Sequence, residues 1–245
     1  MPSEPLSHGL PQKNINTHLI EIKDYFKIAI SVDCVIFGFD DNELKILLIK
    51  SDLEQFRGKW SLLGDIVRTD EDPDDAADRV LLTRTGIQDL YLEQVQAFGK
   101  PGRHPAGRVV TIAYYSLINI QHSILKNLDN ELHWHPVKKI KQMAFDHKEI
   151  VDACYARLRE KLKDHPVGFN LLPRKFSLRE LQNLYEAILD VKLDRRNFRK
   201  KIMSMGLLID LHEMEDDVPH RPAKLYKFNE DAFQKQENSY LGIDN

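Results

Sequence analysis

Apolar positions along this chain follow two different grammars, and the change comes near residue 165. The first part alternates strands with helices. Residues 28 to 39, IAISVDCVIFGF, form an apolar run rich in β-branched residues, and Asp40-Asp41-Asn42 reads as a turn. Residues 44 to 50, LKILLIK, are then the returning strand of a hairpin. Asp72 suits a helix N-cap, Pro73 the first helical position and Gly86 the stop, which predicts a helix between them. Two further strands, at residues 90 to 99 and 108 to 118, flank the loop KPGRHPAG, and NELHWHPV at residues 130 to 137 predicts one more. From His147 to Lys163 the pattern turns helical, with Ile150, Val151, Cys154, Leu158 and Leu162 on roughly one face. The sum is an α/β/α sandwich around a mixed sheet.

After the break at residues 164 to 168, DHPVG, the chain reads differently. Ser177 and Glu180 form the S-x-x-E capping-box pattern. Leu178, Leu181, Leu184, Tyr185 and Ile188 follow at helical spacing. Val191 and Leu193 lie in a turn, and Asp194 can cap a second helix, RRNFRKKIMSMG, ended by Gly206. The segments LLIDL and KLYKF then flank a polar, Pro-containing loop, HEMEDDVPHRPA. Two helices around a tight turn, followed by a two-stranded wing, are the plan of a winged helix-turn-helix. The expected class is therefore α+β. A flexible leader is expected over residues 1 to 24, a sandwich domain over 25 to 164, a winged helix over 169 to 235 and a tail over 236 to 245.

Composition narrows the function. A chain of 245 residues with 42% hydrophobic and 30% charged residues is an ordinary soluble protein with room for two modest domains. No stretch approaches a membrane span, and the polar start lacks a signal layout. Cys34 and Cys154 each fall in an apolar segment and read as reduced core thiols of a cytoplasmic protein, and no Cys/His spacing suits zinc. The net charge of −3 hides an asymmetry. Between Val191 and Met205 stand Lys192, Arg195, Arg196, Arg199, Lys200 and Lys201, against the single acid Asp194. In a helix-turn-helix the early part of the second helix enters the major groove. Arg195, Arg196, Asn197, Arg199, Lys200 and Lys201 occupy that helix. Arginine pairs with guanine, asparagine with adenine, and the lysines neutralise phosphate. Arg221 and Lys224 could meet phosphates from the wing, although the acidic run from Glu213 to Asp217 opposes laying the whole wing on DNA. A solvated basic face is the bland alternative. An RNA-binding or protein-interaction adaptor is a further one, without the exposed stacking aromatics RNA would favour.

The segment from Asp65 to Ile87, DIVRTDEDPDDAADRVLLTRTGI, carries the chemistry by what it lacks. Registered on Gly86, it resembles the Nudix hydrolase box, G-x5-E-x7-R-E-U-x-E-E-x-G-U, where U is bulky and apolar. Glu71, Arg79, Leu81, Gly86 and Ile87 take their places. Asp65 replaces the first Gly, Val80 the Glu after the Arg, and Thr83 and Arg84 the paired Glu residues. Pyrophosphate hydrolysis needs a hard divalent cation held by oxygen ligands. Positions 80, 83 and 84 share a helical face, which here offers an aliphatic chain, a hydroxyl and a guanidinium. Neither metal, cofactor nor hydrolysis is expected.

A longer resemblance follows. Residues 169 to 178, FNLLPRKFSL, with 184 to 188, LYEAI, 193 to 201, LDRRNFRKK, and 221 to 228, RPAKLYKF, resemble the C-terminal domain of the Nudix-related transcriptional regulators. Residues 93 to 95, EQV, 98 to 99, FG, and 109 to 115, VVTIAYY, resemble their Nudix half. The resemblance implies a bacterial repressor or activator whose Nudix domain senses a metabolite and whose winged helix binds a palindromic operator as a homodimer. Many members responsive to ADP-ribose that control NAD synthesis carry an RDPR-like segment, where this chain has Arg103-His104-Pro105-Ala106. A second branch, from Bacteroidetes-like bacteria, serves sugar use with dead Nudix domains, and the broken box fits it better. The expectation is thus a regulator of carbohydrate use sensing a pentose such as arabinose. The alternatives are an ADP-ribose-sensing regulator of NAD metabolism and a residual hydrolase. Asp65, Arg84, Arg103 and His104 are the candidate ligand contacts, and Trp60 reads as a core residue.

Overall fold

The computed structural model describes residues 27–40, 42–88, 90–120, 132–164, 167–216 and 221–240. The expected leader and the end of the expected tail, residues 241–245, lie outside the described residues. Strand β1 spans Ala29–Asp40, and its apolar run is buried almost throughout because both faces of the sheet are covered. β2 (Glu43–Lys50) returns antiparallel to it, pairing Phe37 with Ile46. β3 (Trp60–Ser61) extends the edge of β2, and β4 (Leu63–Ile66) pairs with the start of β1. β6 (Val109–Asn119) runs parallel to β1, and β5 (Glu93–Phe98) is antiparallel to β6. β7 (Leu132–Pro136) closes onto β2. The 7-stranded sheet is therefore mixed, in the order β3-β2-β1-β6-β5 with β4 and β7 alongside.

Helix α1 (Pro73–Thr85) covers one face. Asp72 accepts from the backbone N–H groups of Asp74 and Asp75, and Gly86 ends the helix in the left-handed region at φ 71°. Ala76, Ala77, Val80 and Leu81 pack there with Val32, Cys34 and Ile36. Helix α2 (His147–Asp164) covers the other face through Ile150, Val151, Cys154 and Leu158. Burial pushes the Cys154 thiol up to about 12, and the Cys34 thiol also rises, so both behave as inert core groups.

Helix α3 (Leu178–Leu189) begins in a complete capping box between Ser177 and Glu180. Helix α4 (Arg195–Ser204) is capped by Asp194 and buries Phe198 and Ile202. β9 (Leu208–Met214) and β10 (Lys224–Phe228) form the wing, and β8 (Phe176–Ser177) adds a third strand. A further helix, α5 (Glu230–Tyr240), begins within the span expected for the winged helix and runs into the expected tail. Its first turn packs Phe233 on Phe228, an apolar pair too small to register as periodicity. The winged helix shares its core with the sheet: Leu181, Leu184, Ile188, Phe198 and Tyr226 belong to the same apolar cluster as Phe37, Ile46 and Leu158. Among the described residues no helix is long and apolar enough to cross a membrane.

Candidate functional site

A cavity of about 560 Å³ opens between the start of β1, β4, the end of α1 and the β5–β6 loop. Asp65, Arg84, Arg103 and His104 all line it, so residues spread over the box and the loop meet in one cleft. Their states differ. Arg103 is almost fully buried and forks onto Asp146, with Nε to Oδ2 at 2.8 Å and Nη2 to Oδ1 at 2.6 Å; Asp33 lies 3.8 Å away. His104 stacks on Phe145 at 5.1 Å, and its Nδ1 accepts from the Ala106 N–H. Burial and the neighbouring Arg103 hold its pKa below the ordinary value. Asp65 accepts from Arg79 at 2.9 Å. Partial burial works against its charge, but the Arg79 bond, the Ile66 N–H and the charges of Arg79 and Arg84 together outweigh it and hold the carboxyl low. Arg84 is exposed and projects from the last turn of α1.

The floor of this cleft is a network that periodicity could not reveal. Asp33 accepts from the Thr111 hydroxyl at 2.7 Å and faces His147 Nε2 at 3.4 Å. The Leu62 N–H donates to His147 Nδ1 at 3.0 Å, which leaves the ring proton on Nε2, toward Asp33. Burial lowers the His147 pKa, so the ring is neutral. Phe145 holds a left-handed backbone, φ 51°, and its ring stacks between His104 and His147. The available signals were small: one acid inside the apolar run of β1, and an Asp-His pair just before a helix. Trp60 is half-buried, in tilted contact with His135 at 4.2 Å beneath the Lys50 ammonium.

The box needs correction in two places. Val80, Thr83 and Arg84 do not present one face to the cleft. Val80 sits in the middle of the buried stripe of α1 and is 2% exposed, whereas Arg84, one turn on, lies beyond the core edge. The glycine that the fold requires is Gly64, not position 65: a Cβ there would come 2.3 Å from Asp33 Oδ1. The carboxylates present do not suit the divalent cation that a Nudix box implies. Glu71 is forked onto Arg79 at 2.8 and 2.6 Å, and that hydrogen bonding pulls its pKa down to about 2. Among the described residues no group of three or more His, Cys, Asp or Glu side chains is arranged to hold a metal.

The second site lies on the winged helix. Arg195 and Arg199 from α4, Arg221 and Lys224 from the wing, and Arg179 and Gln182 from α3 line a groove of about 550 Å³. Arg196, Asn197, Lys200 and Lys201 are exposed elsewhere on α4. The opposing acids are partly spent: Glu213 pairs with Lys175, Glu215 with Arg179 and Asp210 with Lys224.

Residues 27–154 match the family model described as the NUDIX domain, and residues 168–228 match the NrtR DNA-binding winged helix domain. The chain is 34% identical over 211 residues to the ADPR responsive transcriptional repressor NtrR of Acinetobacter baylyi, covering 84% of each. The chain belongs to the NrtR-like family. Its fold agrees with crystallised NrtR of Shewanella oneidensis in complex with a 27mer DNA, with a TM-score of 0.73 and 30% identity over 84% of this chain and 95% of that one. It also resembles a MutT/nudix family protein from Enterococcus faecalis, with a TM-score of 0.68 and 26% identity over 89% and 94% of the two chains. For an NrtR-like chain the expected pentose effector and role in carbohydrate use are withdrawn, because the Acinetobacter relative responds to ADP-ribose. The physical error was to equate lost metal ligands with a lost anion site. Removing carboxylates from a cleft still lined by Arg84 and Lys50 makes it more hospitable to phosphate, not less.

Proposed function

We propose that this protein is a DNA-binding regulator of NAD metabolism. Its Nudix cleft binds ADP-ribose without hydrolysing it, and its winged helices bind a palindromic operator as a pair. The effector class rests on the likeness to the ADP-ribose-responsive repressor along most of the chain. Loss of catalysis rests on the box, where Glu71 is tied to Arg79 and Arg84 occupies a metal-ligand position. Arg196 and Asn197 are assigned to base edges, and Arg195, Arg199, Lys200, Lys201, Arg221 and Lys224 to phosphates and flanking contacts.

One observation carries the coupling between cleft and DNA. Helix α2 begins at His147 on the cleft floor and, about 12 Å along its axis, grips the end of α3. Tyr155 Oη donates to the Ile188 carbonyl at 2.8 Å, and Arg159 Nη2 to the Leu189 carbonyl at 2.9 Å. Lys138 adds an ion pair to Asp190, the residue that ends α3. The turn into α4 follows at once. Ligand that favours one placement of the β5–β6 loop and α2 therefore biases the placement of α4.

The test is operator selection from genomic fragments by the full-length protein, followed by titration with ADP-ribose. A palindrome beside NAD genes, with affinity shifted by roughly 5-fold or more on adding ADP-ribose, is the expected result. Operator binding indifferent to ADP-ribose sinks the effector assignment, and release of AMP from ADP-ribose sinks the claim of lost catalysis.

A further inference from the structure

Resting on the ADP-ribose reading, we infer that the cleft binds the diphosphate of its effector without a divalent cation, using the Arg84 guanidinium in place of the metal. Arg79, Arg84 and Arg103 stand around this part of the molecule, and their partners separate them. Arg79 is committed to Glu71, to Asp65 and to the Ile66 carbonyl. Arg103 is committed to Asp146 and lies against Asp33. Arg84 lines the cavity, is exposed, and has no ion-pair partner among the described residues. It acts on Asp65 only at longer range.

A diphosphate needs positive charge on its non-bridging oxygens. In a Nudix enzyme that charge is the metal, held by the paired Glu residues of the box. Here one of those positions is itself a cation, so a metal and Arg84 would compete for the same place and repel one another. A guanidinium satisfies phosphate oxygens with two parallel N–H donors and is always charged. Lys50, held over Trp60 at 5.2 Å, lines the same cavity and supplies a second cation. Of the acids lining the cavity, Asp33 is bonded to Thr111 and faces Arg103 and His147, and Asp65 is paired with Arg79; Asp52 remains beside the two cations. The competing explanation for Arg84 is structural, since a base in the last turn of a helix complements its dipole.

The deciding experiment is calorimetric titration of the full-length protein with ADP-ribose, ADP and inorganic pyrophosphate, each in EDTA and in Mg²⁺. Wild-type affinity for ADP-ribose should agree within about twofold between the two buffers. Arg84→Gln should weaken it on the order of tenfold or more, and Arg84→Lys should recover part of the loss. The thermal midpoint of Arg84→Gln, measured alongside, should barely move; a folded variant with full affinity assigns Arg84 to the helix dipole and overturns the inference. Binding that disappears in EDTA also overturns it, while leaving ADP-ribose as the effector. Metal-free, Arg84-dependent binding of ADP or pyrophosphate without ADP-ribose binding supports the inference and removes the effector reading. If wild-type protein binds none of the three, both fall.

Discussion

The cleft floor and the outer face of α4 are both rich in charge, and they treat it in opposite ways. Under the cleft, Asp33, Arg103, Asp146 and His147 are buried or nearly so, and each has a partner within the molecule. On α4, Arg195, Arg196, Arg199, Lys200 and Lys201 are exposed and no carboxylate among the described residues engages them. Buried charge is tolerable only when it is answered, because desolvation costs several kcal/mol per ion. Charge left in water costs little and keeps its potential for a ligand. The first region therefore ties its charge into the fold, and the second leaves its charge in water.

The contrast is broken most severely at Arg103. Arg103→Ala would leave Asp146 and Asp33 with uncompensated charge in a poorly solvated site and should cost about 3–5 kcal/mol of stability, read from urea unfolding. Arg196→Ala or Asn197→Ala should leave unfolding almost untouched and instead cost about 1–3 kcal/mol of operator binding, with relaxed sequence preference. Lys201→Ala should weaken binding evenly across sequences. If Arg103→Ala unfolds like wild type, the floor is not the structural element its geometry implies.

The same contrast explains what the sequence could disclose. The α4 face was legible because its members are consecutive, from Arg195 to Lys201, and their cap and apolar stripe are local as well. The strands and the capping box were legible for the same reason. The cleft floor was not, since Asp33 and Thr111 meet only through the parallel pairing of β1 with β6, which sets Ser31 beside Thr111, and Asp146 joins them from the turn before α2 through Arg103. Position in the box was legible, but orientation was not. Val80 and Arg84 are one turn apart, and only the edge of the core places one inside and the other in the cleft. The effector was misjudged because it was inferred from missing carboxylates, without the cations that remain.

A third measurement sharpens the floor itself. His147 has a folded pKa below its ordinary value of 6.5, so the unfolded chain takes up a proton more readily. The stability from a neutral His147 is present above pH 6.5 and declines as pH falls toward the folded value. This one group contributes at most about 1.4 kcal/mol per pH unit. His104 and His135 shift the same way and add to the slope. His147→Gln should flatten the decline measured by unfolding between about pH 6.5 and 5. An unchanged slope would move the acid sensitivity to the other two rings.

The smallest effect tests whether charge on α4 is truly held for a polyanion. Asp194 does two things at once. Its carboxylate accepts from the Asn197 N–H at 2.8 Å and so starts the helix, and it places the one negative charge beside the basic face. Asp194→Ala removes both and should cost about 1 kcal/mol of stability. Asp194→Asn keeps the cap, because an amide oxygen accepts the same bond, and removes only the charge. Its stability should stay within a few tenths of a kcal/mol of wild type, while its affinity for any duplex rises, most visibly at low salt. Were Asp194→Asn to bind nonspecific DNA no better than wild type, the N-terminal end of α4 would not lie against phosphate, and the basic face would meet DNA from its other end.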